Sequence, residues 1–180
     1  MALVIETGAG VAGANTFVDS TFADSYFGDR GVTAWTGTTP AKESALIRAG
    51  QYLNGLNWLG SRVDYTHVMC WPRYAVPVAD YIASGRNAAL FGEAMYGMYW
   101  PSNVVPIPVQ YAQCESALRY LTGVDMMPDL DRGGYVLQQE AAVIKTVYAG
   151  HAPAGTVFTA VRALLRPFLK SSASIDMVRS

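Results

Sequence analysis

The sequence predicts a mainly α domain of the α+β class: a small helical bundle with one antiparallel β-hairpin, an N-terminal extended segment and an extended C-terminal tail. Three observations lead there. Apolar residues recur at helical spacing in several windows, each opened by a capping residue or a proline. One pair of β-favouring runs lies close together, at 135–139 and 143–149. The chain has 180 residues, 51% of them hydrophobic, which suits a single domain with a sizeable core.

Ala2–Glu6 reads as a short strand, Gly8–Gly13 as a glycine-rich turn, and Asn15–Val18 as extended again. Asp19 or Ser20 can cap a first helix, because a side-chain oxygen there accepts from the orphan first-turn N–H groups. Phe22, Tyr26 and Phe27 give it one aromatic face, and Gly28 and Gly31 end it. A second helix opens at Thr39-Pro40, with Thr39 as cap and Pro40 in the first turn, where its missing N–H costs nothing. Leu46, Ala49, Leu53 and Leu56 form its stripe, and Asn54-Gly55 breaks it. Residues 57–76 read as irregular. Residues 80–104 carry glycines, methionines and tyrosines with few charges; a helical piece fits at 87–96. Pro108 opens a third helix over 109–122 with Tyr111, Cys114, Leu118 and Leu121 on one face, closed by Gly123. The hairpin follows at 135–149, turning at 140–142. Thr156 caps a last helix bearing Val157, Val161, Leu164, Leu165 and Phe168, which Pro167 ends or kinks. Residues 1–170 thus make one domain, and 171–180 a polar tail.

Motifs for chemistry are sparse. Gly8-Ala9-Gly10-Val11-Ala12-Gly13 spells G-x-G-x-x-G after a strand, but β-favouring residues follow where a dinucleotide fold needs a helix. His67, Cys70, Cys114 and His151 could offer four soft ligands, yet only His67 and Cys70 are close in sequence, and structural zinc sites use two such pairs. Two buried, reduced thiols are the simpler reading, and no metal or other cofactor is expected. There is no G-x-S-x-G elbow and no paired carboxylates, so no enzyme is expected. No apolar run reaches the ~18 residues of a membrane span, and Met1–Ile5 lacks a basic signal region; a soluble protein in a reducing compartment is expected.

Charge is scarce and sorted. Charged residues make up 15% of the chain, against the usual ~25%. The formal net charge is −1. Residues 1–31 hold four acids and one base; residues 156–180 hold four bases and one acid. Arg162, Arg166 and Lys170 fall at i, i+4 and i+8. That stripe is either a solvated face complementing the helix dipole or a docking surface for an acidic partner, a neighbouring subunit or DNA phosphate. Met95, Tyr96, Met98, Tyr99 and Trp100 form a low-charge aromatic cluster suited either to the core or to contact between copies.

Six runs, taken in order, resemble a known family: LVIETGAGVAGANTFVDSTFADSYFGDRG, KESALIRAGQYLN, Trp71–Arg73 (WPR), VQYAQCESALRYL, PDLDRGG and HAPAGTVFTAVRALLRPFL. They resemble a tailed-bacteriophage family labelled DnaT-like single-stranded-DNA-binding proteins, whose members are similar in size and helix pattern to head-to-tail connector (adaptor) proteins. Residues 81–100 depart from it as an insertion.

The resemblance implies a structural virion protein of the phage neck, assembled in the host cytoplasm. In that reading a homo-oligomeric ring, a dodecamer, sits under the portal protein, extends the channel for genomic double-stranded DNA and joins a downstream neck or tail protein. The implied portal or subunit docking residues are Arg162, Arg166, Lys170, Ile175, Met177, Val178 and Arg179. Gln138, Gln139 and Lys145 would face the channel from the hairpin; the resemblance assigns no role to the insertion, and Met95, Tyr96, Met98, Tyr99 and Trp100 are the candidate ring interface on their low-charge composition alone. The alternative is single-stranded-DNA binding. The 11 Tyr, 6 Phe and 4 Trp could stack bases, but such platforms normally come with a positive groove, and net −1 weighs toward the connector.

Overall fold

The computed structural model describes residues 2–78, 99–129, 138–141, 144–147 and 156–170. Helix α1 spans Ser20–Gly28, α2 Thr39–Asn54, α3 Ile107–Leu121 and α4 Thr159–Leu165, the last continued by a 3-10 turn, Arg166–Phe168. Two antiparallel ladders complete the described fold: β1 (Ser61–Arg62) with β2 (Arg73–Tyr74), and β3 (Gln138–Ala141) with β4 (Ile144–Val147). The expected class, mainly helical with an antiparallel hairpin, is the one observed.

The capping chemistry of α1 is as its sequence implies: the Asp19 carboxylate accepts the Phe22 N–H at 2.7 Å. Asp24 then accepts from Trp35 Nε1 at 2.6 Å and from Lys42 Nζ at 2.8 Å, tying the loop after α1 to the start of α2. Thr39 is the first residue of α2 rather than its cap; Thr38 holds the cap position without a side-chain bond, and Pro40 lies in the first turn. Leu46, Ala49 and Leu53 are fully buried, each large aliphatic contributing roughly 1.5–3 kcal/mol by leaving water. Leu56 falls beyond the helix end and is half-buried.

Helices α2 and α3 pack through small residues, Ala45, Ala49, Ala112 and Ala117, all buried. Gly50 belongs to this close approach: a Cβ there would stand 2.7 Å from the Asn15 carbonyl oxygen. Helix α3 starts at Ile107, one residue before Pro108. Its buried arc is wider than the expected stripe and turned from it. Val109, Ala112, Gln113, Cys114, Ser116, Ala117 and Tyr120 are buried, while Tyr111, Leu118 and Leu121 are only half-buried. The physical reason is that α3 packs against α2, α4 and α1 at once, so no single 3.6-residue stripe describes it.

Three other expectations shift. The strand at Ala2–Glu6 reduces to one parallel bridge, Ile5 with Thr16. The hairpin turn expected at 140–142 moves, since Glu140 pairs with Lys145 and Ala141 with Ile144 inside the ladder. The last helix starts at Thr159, leaving Thr156 and an exposed Val157 ahead of it. The helical piece at 87–96 and the tail at 171–180 lie outside the described residues.

The stretch 57–76, which lacks any period, is ordered by side chains. Arg73 is buried and its guanidinium donates to the carbonyls of Leu59 (2.7 Å), Gly60 (2.9 Å) and Cys70 (3.1 Å). Above it Trp71 packs edge-to-face with Trp58 and Phe168, centroids 5.9 Å apart in both pairs.

Candidate functional site

The G-x-G-x-x-G loop already holds an anion. Glu6 is 2% exposed, and its carboxylate accepts N–H groups from Gly8 (2.7 Å), Gly10 (2.9 Å) and Val11 (2.7 Å). Neighbouring backbone donors converging on one anion form a cradle that elsewhere takes phosphate. Here the chain supplies the occupant, and extended backbone follows the loop, so the nucleotide reading has no room.

Among the described residues no three His, Cys, Asp or Glu side chains gather as a metal site needs; His151 lies outside them. Cys70 and Cys114 are free and buried. Burial pushes both thiols up to about 12; nearby Arg73 and Arg62 oppose this at Cys70, and Glu115 adds to it at Cys114. Both are therefore expected to resist a thiol reagent such as DTNB in the native protein and to react fully in urea. Rapid labelling without denaturant would contradict this burial.

The placement of cations is more telling than their sum. Lys42 pairs with Asp24, Arg119 with Glu115, and Arg48 with Asp125 at 3.7 Å. Arg30 lies over the Tyr26 ring, 3.7 Å from its centroid, and donates to the Tyr26 carbonyl. Among the described residues, Arg62, Arg162, Arg166 and Lys170 are exposed and carry no carboxylate partner; Arg62 donates only to the His67 carbonyl. The expected i, i+4, i+8 stripe is not one helical stripe. Helix α4 stops at Leu165, Arg166 opens the 3-10 turn, and Lys170 follows in extended backbone.

Four extended segments lie side by side, and Arg62 and Lys170 belong to them. Lys170 N–H donates to the Asn57 carbonyl and Leu59 N–H to that of Phe168, at 2.8 Å each. Ser61 and Arg62 pair with Tyr74 and Arg73. Trp100 N–H donates to the Val76 carbonyl at 2.9 Å, and Pro77 bridges Tyr99. Tyr65 is 93% exposed, and Tyr74 and Tyr99 are half-exposed. Tyr74, Tyr99, Arg62 and Lys170 belong to these segments, Tyr65 to the loop between Arg62 and Arg73, and Arg166 to the 3-10 turn that leads into Lys170.

Of the other residues singled out from sequence, Trp100 is half-buried against Phe168, with centroids 5.7 Å apart, and packs against the core. Gln138, Gln139 and Lys145 occupy register positions opposite Val147, Thr146 and Glu140. Met95, Tyr96, Met98, Ile175, Met177, Val178 and Arg179 lie outside the described residues. Sequence reasoning passed over Arg62, Tyr65 and Tyr74, which sit in a stretch with no periodicity; the aromatic–basic mixture at 62–74 was the available signal.

A family model described as "Putative DnaT-like ssDNA binding protein" matches residues 1–180. No curated protein and no solved structure matches the chain. The family finding overturns the connector expectation. A dodecameric ring under a portal, a channel for double-stranded DNA, a downstream neck or tail partner and the role of a phage structural protein all give way to the single-strand alternative. Net charge summed over the whole chain does not report the charge of any one face. The acids Asp19, Asp24 and Glu6 are spent on internal bonds, so net −1 does not describe the face that carries Arg62 and Lys170.

Proposed function

The chain belongs to the DnaT-like single-stranded-DNA-binding family, and from that premise we propose that it binds single-stranded DNA, without a chemical step, on the surface formed by its four extended segments. One observation carries the assignment to this surface: exposed Tyr65, Tyr74 and Tyr99 and the cations Arg62, Arg166 and Lys170 lie on or next in sequence to the same four paired segments, and no carboxylate of the described residues pairs with those cations. Bases stack on tyrosine rings irrespective of sequence, and guanidinium and ammonium groups meet the phosphates between them. A flexible strand suits such a surface better than a duplex, whose bases are already stacked on each other.

The test is anisotropy of a labelled oligo-dT across a salt series. With three phosphate contacts, log K is expected to fall against log[salt] with a slope of about −2, at roughly −0.7 per contact for single strands. Tyr65→Ala and Tyr74→Ala are each expected to weaken binding by about 1–3 kcal/mol where a base stacks. Absence of binding at low salt, or binding that ignores both salt and these tyrosines, would overturn the reading.

A further inference from the structure

The loop that presents Arg62 and Tyr65 is closed on itself. The Arg62 guanidinium donates to the His67 carbonyl at 3.0 Å. The His67 N–H donates to the Asp64 carbonyl at 3.3 Å, and the Asp64 carboxylate accepts from the Thr66 N–H and hydroxyl at 2.8 and 2.7 Å. These bonds fix the shape of the loop but do not hold it to the rest of the molecule.

His67 does that. Its imidazole lies directly on Gly10, so that a Cβ on Gly10 would overlap the ring at Nε2 and Cε1. Ring atom Nδ1 is buried and finds no hydrogen-bond partner among the described residues, so the ring's packing on Gly10 is the contact that places it. Gly10 has φ of +74°, a conformation glycine adopts freely, and its N–H is gripped by the Glu6 carboxylate. One line of contacts therefore runs from Glu6 through Gly10 and His67 to Arg62, and His67 also closes the turn on which Tyr65 sits.

We propose that the Glu6-filled glycine loop is the seat of the DNA-contacting loop, with Glu6, Gly10 and His67 acting as positioning residues for single-strand binding. The proposal rests on the single-strand reading. None of the three need touch DNA; they hold Arg62 and Tyr65 in one arrangement before the strand arrives, and preorganisation of this kind strengthens binding.

The test is a double-mutant cycle read by oligo-dT affinity, with thermal unfolding in parallel. Gly10→Ala inserts a methyl into the imidazole, and His67→Ala removes the ring. Each is expected to weaken oligo-dT binding by about 2- to 30-fold, the range for substitutions that act through a neighbour. In the His67→Ala background, Gly10→Ala should cost at most about twofold more, because the ring it displaces is gone.

Unchanged affinity in His67→Ala, or independent multiplying effects in the double variant, would overturn the proposal. Should Gly10→Ala fail to fold, His67→Ala alone decides: weakened binding at a wild-type melting temperature supports the seat. A wild-type chain that does not bind oligo-dT sinks the single-strand reading instead. The seat is then judged by trypsin cleavage after Arg62, which His67→Ala must accelerate if the ring holds the loop.

Discussion

Replacing Gln113 by leucine is expected to lower the unfolding free energy by about 3 kcal/mol, although the two side chains are close in size and leucine is the better helix-core residue by hydropathy. Gln113 is fully buried in α3. Its amide oxygen accepts the Phe17 N–H at 2.8 Å, and its amide nitrogen donates to Thr16 Oγ1 and to the Leu46 carbonyl, at 2.9 Å each. One side chain thus joins the N-terminal segment, α2 and α3. Leucine leaves the Phe17 N–H buried and unpaired, which by itself costs about 1–3 kcal/mol, and forfeits two further bonds. Melting temperature should fall by roughly 2–4 °C per kcal/mol for a chain this long.

Gln113→Glu separates polarity from shape. Its carboxyl, kept neutral by burial, can still donate to Leu46, whereas the carboxylate cannot. The folded-state pKa would lie above the unfolded value of about 4.3, so stability is present below that pH and lost as pH rises. A stability that ignores pH in this variant would place the side chain in water rather than in the core.

The second large effect belongs to Arg73. Arg73→Met is expected to cost about 3 kcal/mol, seen as a lower midpoint in urea unfolding. Three backbone carbonyls, those of Leu59, Gly60 and Cys70, would lose their charged donor. Methionine also removes a desolvated charge, whose burial draws the guanidinium pKa down; that relief offsets part of the loss. Arg73→Lys should restore little, because one ammonium cannot address three carbonyls disposed around a planar fork. If lysine proves equivalent to arginine, charge rather than fork geometry organises this stretch.

The helices were legible because their signals are local. Asp19 caps α1 through its own third neighbour, and Leu46, Ala49 and Leu53 repeat at the period of a helix with one buried face. The stretch 57–76 was not legible, because its order comes from Arg73, a residue type almost never buried without a partner. Gln113 and Ser116 were missed in the same way: hydropathy places them outside, while long-range hydrogen bonds hold Gln113 inside and a bond to the Ala112 carbonyl of its own helix satisfies the buried Ser116 hydroxyl. The site failed for a different reason. A sum over the sequence gives net −1, but binding depends on which charges remain unpaired on one face, and only the fold sorts Lys42, paired with Asp24 of another helix, from Arg62 and Lys170.

The bond from Phe17 to Gln113 spans 96 positions, and this bears on the order in which the protein can be made. At ribosomal speeds of about 5–20 residues per second, the N-terminal segment emerges roughly 5–20 s before the side chain that secures it. During that interval Glu6 and its glycine cradle can close, since their bonds span at most five residues. The Phe17 N–H, by contrast, has only water to meet. The beginning of the chain is therefore finished late, and α3 is the element whose arrival completes it.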